Sequence, residues 1–386
     1  MVEGIGLQVS AERLLADLWT LAAIGGRPDG GVDRVAGSVA DLEARRWLAS
    51  RVEEAGLEAR MDETINVFGR VGASSGPWLV LGSHTDTVPA GGHLDGAYGV
   101  IAALEALRTL HEAGHPAASA IEVVSFFDEE GVGSGGLIGS RALLDHPHIN
   151  DLSGYLEIHI EQGPRLESTG RELAVVEGIV GVERWDVTMH GEANHAGTTP
   201  FHLRHDAARA MARLIVRLPE LLQAVDQDMV GNVSVLSVAP NAPNVVPGEA
   251  RCVVELRSFS AEMLQSAARR VRDAVRESCN TEGCTFAMAP RRPIAPQPMD
   301  QTAIKFLCKA CELSERPWTR LVSGAGHDAG ALAARIPAGM LFVPSSGGIS
   351  HSPHEHTDDR LLVQGAQVLL TGALLMLEEQ RQQGNR

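Results

Sequence analysis

The sequence predicts an open α/β domain interrupted by a smaller inserted α+β domain. Three observations carry this expectation. At 386 residues the chain exceeds the usual reach of one hydrophobic core, so two domains are expected. Apolar, β-branched runs alternate with amphipathic helical periods over the first part of the chain and again after residue 302. Between them, after Gly181, the texture changes to half-exposed strands around two long helices. The expected division is 1–182 and 293–386 for the outer domain and 183–292 for the insert, with the proline-rich Pro290–Pro298 as the exit linker.

Ser10–Ala23 carries Leu14, Leu15, Leu18 and Leu21 at helical spacing behind a Ser cap. Asp41–Ala55 alternates Leu42, Trp47, Leu48 and Val52 with Glu and Arg and stops at Gly56, an amphipathic helix with a glycine cap. Short strands are expected at 57–61 and 66–71. Trp78–Leu81 is an apolar strand that runs into Gly82-Ser83-His84-Thr85-Asp86, and helix 97–113 follows. Ile121–Phe127 is a β-branched and aromatic strand ending in Asp128-Glu129-Glu130-Gly131, and 155–160 is a strand ending at His159. In the insert, strand 182–190, helix 206–222, strands 230–239 and 249–257, helix 261–278 and strand 284–290 describe an antiparallel sheet with two helices. A helix, the strand Met340–Val343, a His-rich loop and a final helix from Leu361 complete the outer domain.

Composition excludes several classes of function. Lys and Arg number 33 against 49 Asp and Glu, a net charge of −16 that disfavours nucleic acid and anionic membrane as partners. No stretch reads as a membrane span of about 18 apolar residues, and the N-terminus lacks a basic and an apolar signal region. Five cysteines, an odd number, read as buried thiols in a reducing compartment, so the chain is expected to be cytoplasmic. The glycine-rich 131–139 segment lacks the lysine of a phosphate loop and follows two acids, which argues against a nucleotide site.

Reactive side chains collect at strand ends, where ligands of open α/β sheets sit. His84 with Asp95, the pair Glu129-Glu130, His159, and the loop Ser350–His356 bring together histidines and carboxylates suited to hard divalent ions. Adjacent acids can divide labour, one facing the ions while the other takes a proton from water. Each piece alone has an ordinary explanation as a solvated or core residue; four strand ends agreeing point to a two-metal site.

The motifs G-S-H-x-D-T-V from Gly82, D-G-x-x-G-V from Asp95, D-E-E-G from Asp128, H-I-E-Q-G-P from His159, G-x-A-x-H-A-G-T-T-P from Gly191, N-V-V-P-G from Asn244, S-G-A-G-H-D-A from Ser323 and P-S-x-x-G-I-S-H-x-P-x-E from Pro344 resemble the amidase branch of the dinuclear zinc aminoacylase/carboxypeptidase metallohydrolases. That branch holds N-carbamoyl-L-amino acid hydrolases, β-ureidopropionases and allantoate or ureidoglycolate amidohydrolases. The resemblance runs from about Gly31 to the C-terminal helix. It implies an open mixed-sheet catalytic domain with two divalent ions per subunit and an inserted lid through which subunits dimerise.

Carried over by residue, the resemblance gives His84 and His159 to one metal, Glu130 and His351 to the other, and Asp95 to the bridge. Asp86 would hold His84 in its ligating tautomer. Glu129 would be the general base and His195 would hold the oxyanion. Gln162, Asn244 and Arg257 would grip a substrate carboxylate, and His327 would line the site. His93, His354 and His356 fall outside the ligand motif. Zinc suits the set, and manganese, cobalt or nickel would also occupy it.

Two departures stand out. Gly131–Gly136 replaces a common Arg-Phe pair, and Glu255 stands where Asp is usual. The implied reaction is hydrolysis of the ureido C–N bond of an N-carbamoyl-L-amino acid or related ureido acid by a metal-bridging hydroxide. An allantoate or ureidoglycolate amidohydrolase, or an aminoacylase or dipeptidase on the same scaffold, is the alternative. A catalytically silent binding protein on this fold would have lost a ligand or Glu129, and none is missing.

Overall fold

The computed structural model describes residues 6–72 and 74–384. The chain divides into two compact units, Met1–Ile179 with Pro298–Arg386, and Val180–Gln297. These limits differ by a few residues from 182/183 and 292/293 because the strand Gly181–His190 already belongs to the inserted sheet. Val182 and Ile294 also exchange backbone hydrogen bonds of 2.8 and 2.9 Å, which ties both ends of the linker into the insert.

The outer unit is built on a mixed sheet. Its centre is four neighbouring parallel strands in the order Ile121–Phe126, Trp78–His84, Leu152–Ile160 and Ala338–Val343. Antiparallel strands Val67–Arg70 and Glu58–Met61 extend one side, and Leu173–Ile179 pairs antiparallel on the other. The central strands are buried along their whole length apart from Ser153, as strands covered on both faces must be. Because these four strands are parallel, their carboxyl ends lie at one edge of the sheet.

The strand Leu173–Ile179 and its parallel partner Trp318–Ser323 were not expected from the sequence. Both nevertheless carry ordinary strand residues, Leu173, Val175 and Val176 in one and Trp318, Thr319, Leu321 and Val322 in the other, so they were legible locally, whereas their pairing, with partners from distant parts of the chain, was not.

Helix Ala97–Glu112 follows the first metal-motif strand and is buried on all sides through Leu110. Its charged residues therefore need partners: Arg13 Nε meets Glu105 at 2.6 Å, and Arg108 reaches Asp17 at 2.5 Å. The C-terminal helix corrects one expectation. Within Asp359–Gln382 an 18-residue window has the mean hydropathy, 1.6, of a membrane span, yet 72% of that window is buried inside the protein.

The inserted unit is a four-stranded antiparallel sheet in the order Thr285–Pro290, Gly181–His190, Glu249–Ser258 and Val230–Ala239. Helices Ala207–Gln223 and Ala261–Glu282 pack on it through Leu214, Leu218, Ala267 and Val271. The second helix runs past the expected end at 278, because Gly283, with φ of 67°, supplies the left-handed residue that ends it. A separate two-stranded ribbon pairs Val245 with His195 and Val246 with Asn194.

Candidate metal centre

Each tip of the four parallel strands delivers one part of the site. Trp78–His84 ends in a buried imidazole, 1% exposed, and the loop beyond it returns Asp95 to within 3.8 Å of His84 Nε2. Gly96 makes that return possible: its φ is 64°, and a Cβ there would lie 2.4 Å from the His84 ring. Ile121–Phe126 leads to Glu129 and Glu130, Leu152–Ile160 presents His159, and the loop after Ala338–Val343 presents His351.

The donors expected to bind metal fall into two groups that share one residue, and among the described residues a third group, Glu157, His159 and His327, overlaps the first at His159. His84, Asp95 and His159 place their ligand atoms within 4.8 Å of one another, and so do Asp95, Glu130 and His351. Asp95 Oδ1 lies 3.1 Å from His159 Nε2 and 3.8 Å from His84 Nε2. Its Oδ2 lies 3.2 Å from His351 Nε2, and Glu130 Oε2 approaches the same nitrogen at 3.4 Å. One carboxylate thus turns an oxygen toward each group, the arrangement a bridging ligand needs. Glu129 Oε2 stands 3.6 Å from His84 Nε2, beside the first group.

Backbone carbonyls set the imidazoles for coordination. His84 Nδ1 lies 3.1 Å from the carbonyl of Asp86, and His159 Nδ1 lies 2.8 Å from that of Ile160. With Nδ1 donating, both Nε2 lone pairs face Asp95. Asp86 was expected to orient His84 with its carboxylate, but that group is 3.7 Å from Nδ1. It accepts instead from the backbone N–H of Glu129 at 3.3 Å and Glu130 at 3.2 Å, and so positions the acid pair.

The electrostatics are unbalanced without cations. Burial holds Glu129 protonated well above the usual carboxylate range, and neighbouring Asp328 and Glu130 reinforce it. Burial and Asp95 push Glu130 up to about 8. His84 is lowered to about 4 by burial. Burial also acts to lower His159, but its hydrogen bond to Asp95 prevails and raises it to about 9; the bond to Asp95 raises His351 to about 9. Yet Gly96 N–H donates to the same His159 Nε2 at 3.0 Å, so a backbone donor and a carboxylate compete over one nitrogen. Divalent cations would relieve the clustered acids and occupy the imidazole lone pairs together, and the mixed N/O donor set fits them.

The remaining expected residues are distributed as follows. Gln162, at φ 58°, donates from Nε2 to Asp95 Oδ2 at 2.8 Å and lies 3.3 Å from His351 Nε2, so it sits against the ligands themselves. Its Oε1 is buried without a hydrogen-bond partner. His327 is buried, 2.9 Å from Ser323 Oγ, with its ring 4.7 Å from that of His159. His93 stacks on Trp19 and joins neither ligand group.

In the inserted unit, His195 is exposed and its Nδ1 accepts from the N–H of Gly197 at 3.1 Å and of Thr198 at 3.2 Å, which leaves the ring proton on Nε2. Asn244 directly precedes the strand paired with His195, and its carbonyl accepts from Ala196 N–H at 2.9 Å. Arg257 is paired with Glu255 at 2.7 Å on the strand Glu249–Ser258 of the inserted sheet.

Two acids had been overlooked. Glu157 is fully buried and accepts from Ser83 Oγ at 2.7 Å and from Ala329 N–H at 2.9 Å, bracing two site loops beside His159. The pattern was legible in principle, since Tyr155, Glu157 and His159 alternate on one face of a strand. Asp328 is likewise fully buried, and its charge is the strongest neighbouring influence on Glu129.

Comparison with known proteins places the chain among amidohydrolases by similarity. The allantoate amidohydrolase of Bacillus subtilis is 33% identical over 90% of this chain and 93% of its own. The N-carbamoyl-L-amino-acid amidohydrolase of a Pseudomonas species is 32% identical over 94% and 97%. Among solved structures, a hydantoinase/carbamoylase family amidase from Burkholderia ambifaria superposes with a TM-score of 0.88 at 29% identity over 96% of this chain and 98% of its own. One from Burkholderia phymatum gives 0.85 at 34% identity over 95% and 98%. Residues 80–374 match peptidase family M20/M25/M40, and they contain every donor of both groups, so the chain belongs to that family.

Proposed function

We propose that this protein is a metal-dependent amidohydrolase that cleaves the ureido C–N bond of an N-carbamoyl-L-amino acid or of allantoate. The observation that carries the reading is Asp95, with one oxygen toward His84 and His159 and the other toward His351, in a chain whose relatives include enzymes named for both substrates. His84, His159 and Asp95 would hold one divalent ion, and Asp95, Glu130 and His351 a second. Ions bound there supply Lewis acidity, which lowers the pKa of water and polarises a carbonyl. Zinc satisfies these donors, as would manganese, cobalt or nickel.

The protein's own groups account for the proton and charge movements. Glu129 belongs to neither group and stands beside His84 of the first, so it takes the proton from attacking water and passes it to the leaving nitrogen. In the inserted unit, His195 carries its proton on Nε2 and would donate it in a hydrogen bond to the oxyanion. Arg257, Asn244 and Gln162 would engage the substrate carboxylate, with Arg257 exchanging its bond to Glu255 for a bidentate one. His327 would line the pocket beside His159. For a carbamoyl substrate the products are the amino acid, ammonia and carbon dioxide.

The same reading makes the protein a cytoplasmic homodimer joined through the insert. Its edge strand Val230–Ala239 leaves Val230, Val235 and Leu236 more than half exposed, and all five cysteines are free. The test is ammonia release from carbamoyl-amino acids, carbamoyl-β-alanine and allantoate beside acetyl-amino acids and dipeptides, with added zinc or manganese and with chelator. Chelator-sensitive ammonia release supports the proposal. Cleavage of acetyl-amino acids or dipeptides alone would assign the aminoacylase or dipeptidase reading instead.

A further inference from the structure

Glu355 lies on the loop that carries His351, yet its carboxylate is buried, 2% exposed, against the other ligand loop. Its Oε1 accepts from the backbone N–H of Leu94 at 2.9 Å and of Asp95 at 3.0 Å. Its Oε2 accepts from Ser350 Oγ at 2.8 Å, and the same hydroxyl lies 3.1 Å from Asp95 Oδ2. A hydroxyl has one proton, so Ser350 shares it between the two carboxylates and couples their positions. Gly92 completes the arrangement: a Cβ at that position would lie 1.9 Å from Glu355 Oε1, so the loop accommodates this carboxylate only with glycine there.

We infer that Glu355 is a positioning residue that clamps the Asp95 loop to the His351 loop and thereby sets the spacing on which divalent-ion binding depends. The inference rests on the metal-site reading above and adds to it a residue that touches no ion. Charge-assisted bonds from an anion to two successive backbone N–H groups are strong and directional. They fix the peptide from which the Asp95 side chain departs. Outer groups of this kind alter metal affinity by about 10–100-fold when removed.

The test uses the full chain stripped of metal. Zinc affinity is measured by competition with a chelating indicator, and hydrogen–deuterium exchange is followed at the Leu94 and Asp95 amides in the metal-free protein. Glu355→Ala should bind zinc at least about tenfold more weakly and expose both amides to faster exchange. Glu355→Gln, which keeps an acceptor on Oε1, should stay within about threefold of wild type. Gly92→Ala, which keeps the Glu355 side chain but forces its carboxylate off its position, should reproduce the loss.

Should Glu355→Ala fail to fold, Glu355→Asp against Glu355→Gln makes the same comparison, with only the shortened acid losing affinity. Equal zinc affinity for Asp and Gln variants, or faster amide exchange without loss of zinc affinity, would overturn the clamp. A wild-type chain that binds no zinc while its Leu94 and Asp95 amides stay protected would instead overturn the metal-site reading.

Discussion

At the scale of single residues, the site separates two neighbouring acids by environment. Glu130 points at His351 and Asp95, whereas Glu129 faces His84 from a buried position where Asp328 and Glu130 oppose its ionisation. Glu129→Gln preserves shape and removes the basic oxygen. Its expected outcome is unchanged metal content by elemental analysis with turnover lowered at least about 100-fold; near-normal turnover with metal bound would remove Glu129 from the proton path.

The metal-free site also has a pH signature. The folded chain holds protons on Glu130 to about 8 and on His159 and His351 to about 9, above the 4.5 and 6.5 of the free groups. Stability from these groups is present at low pH and lost as pH climbs through the folded values. His84, lowered to about 4, acts in the opposite sense but below 6.5. The melting temperature of chelator-treated protein should therefore fall between about pH 6.5 and 9. Zinc competes with those same protons, so the rise in melting temperature on adding it should be largest at the alkaline end. A metal-free melting temperature that rises across that interval would contradict this account.

At the scale of elements, the strand ends were legible in sequence and their supports were not. His84 and His159 end apolar runs, Glu129-Glu130 follow one directly after Phe127-Asp128, and His351 lies in the loop after another, so a reader who knows that such runs become parallel strands can gather them. Arg45 shows what is hidden. The helix around it, Val39–Glu54, alternates apolar and charged residues and reads as having one wet face. Asp41 and Arg45 are nonetheless fully buried, paired at 3.0 Å, with Arg45 donating to the carbonyls of Ile65 and Phe126 at 3.2 and 3.1 Å and lying 4.0 Å from Asp86. Periodicity reports a helix's faces but not which of them a strand end will cover. Arg45→Leu leaves Asp41 and Asp86 without their counter-ion and should cost about 3–5 kcal/mol in urea unfolding. Exposed Arg46→Ala in the same turn should stay within about 0.5 kcal/mol. Equal effects would mean that the pair carries no structural charge balance.

At the scale of the whole molecule, the outer unit carries both groups of candidate metal donors, and His195, Asn244 and Arg257 lie in the insert. In chain order an antiparallel α+β texture interrupts a parallel one, which is why the sequence reads as an outer domain with an insert. The insert's edge strand was recognisable as a strand but not as an edge, since pairing is a property of the fold and not of the run. An edge ten residues long that presents Val230, Val235 and Leu236 to solvent is prone to pair with another chain. If it joins two subunits, a charge there should separate them at little cost to the fold. Val235, 74% exposed, is the best position. Sedimentation of the wild-type protein should give a dimer, and Val235→Asp with Leu236→Lys should give a monomer with an unchanged far-ultraviolet circular dichroism spectrum. Turnover by that monomer then distinguishes two roles for the insert. Retained activity places His195 in service of its own subunit, and lost activity with intact metal content means that the partner's copy is required. A wild-type monomer, or a dimer unaffected by both charges, would move the interface away from this strand.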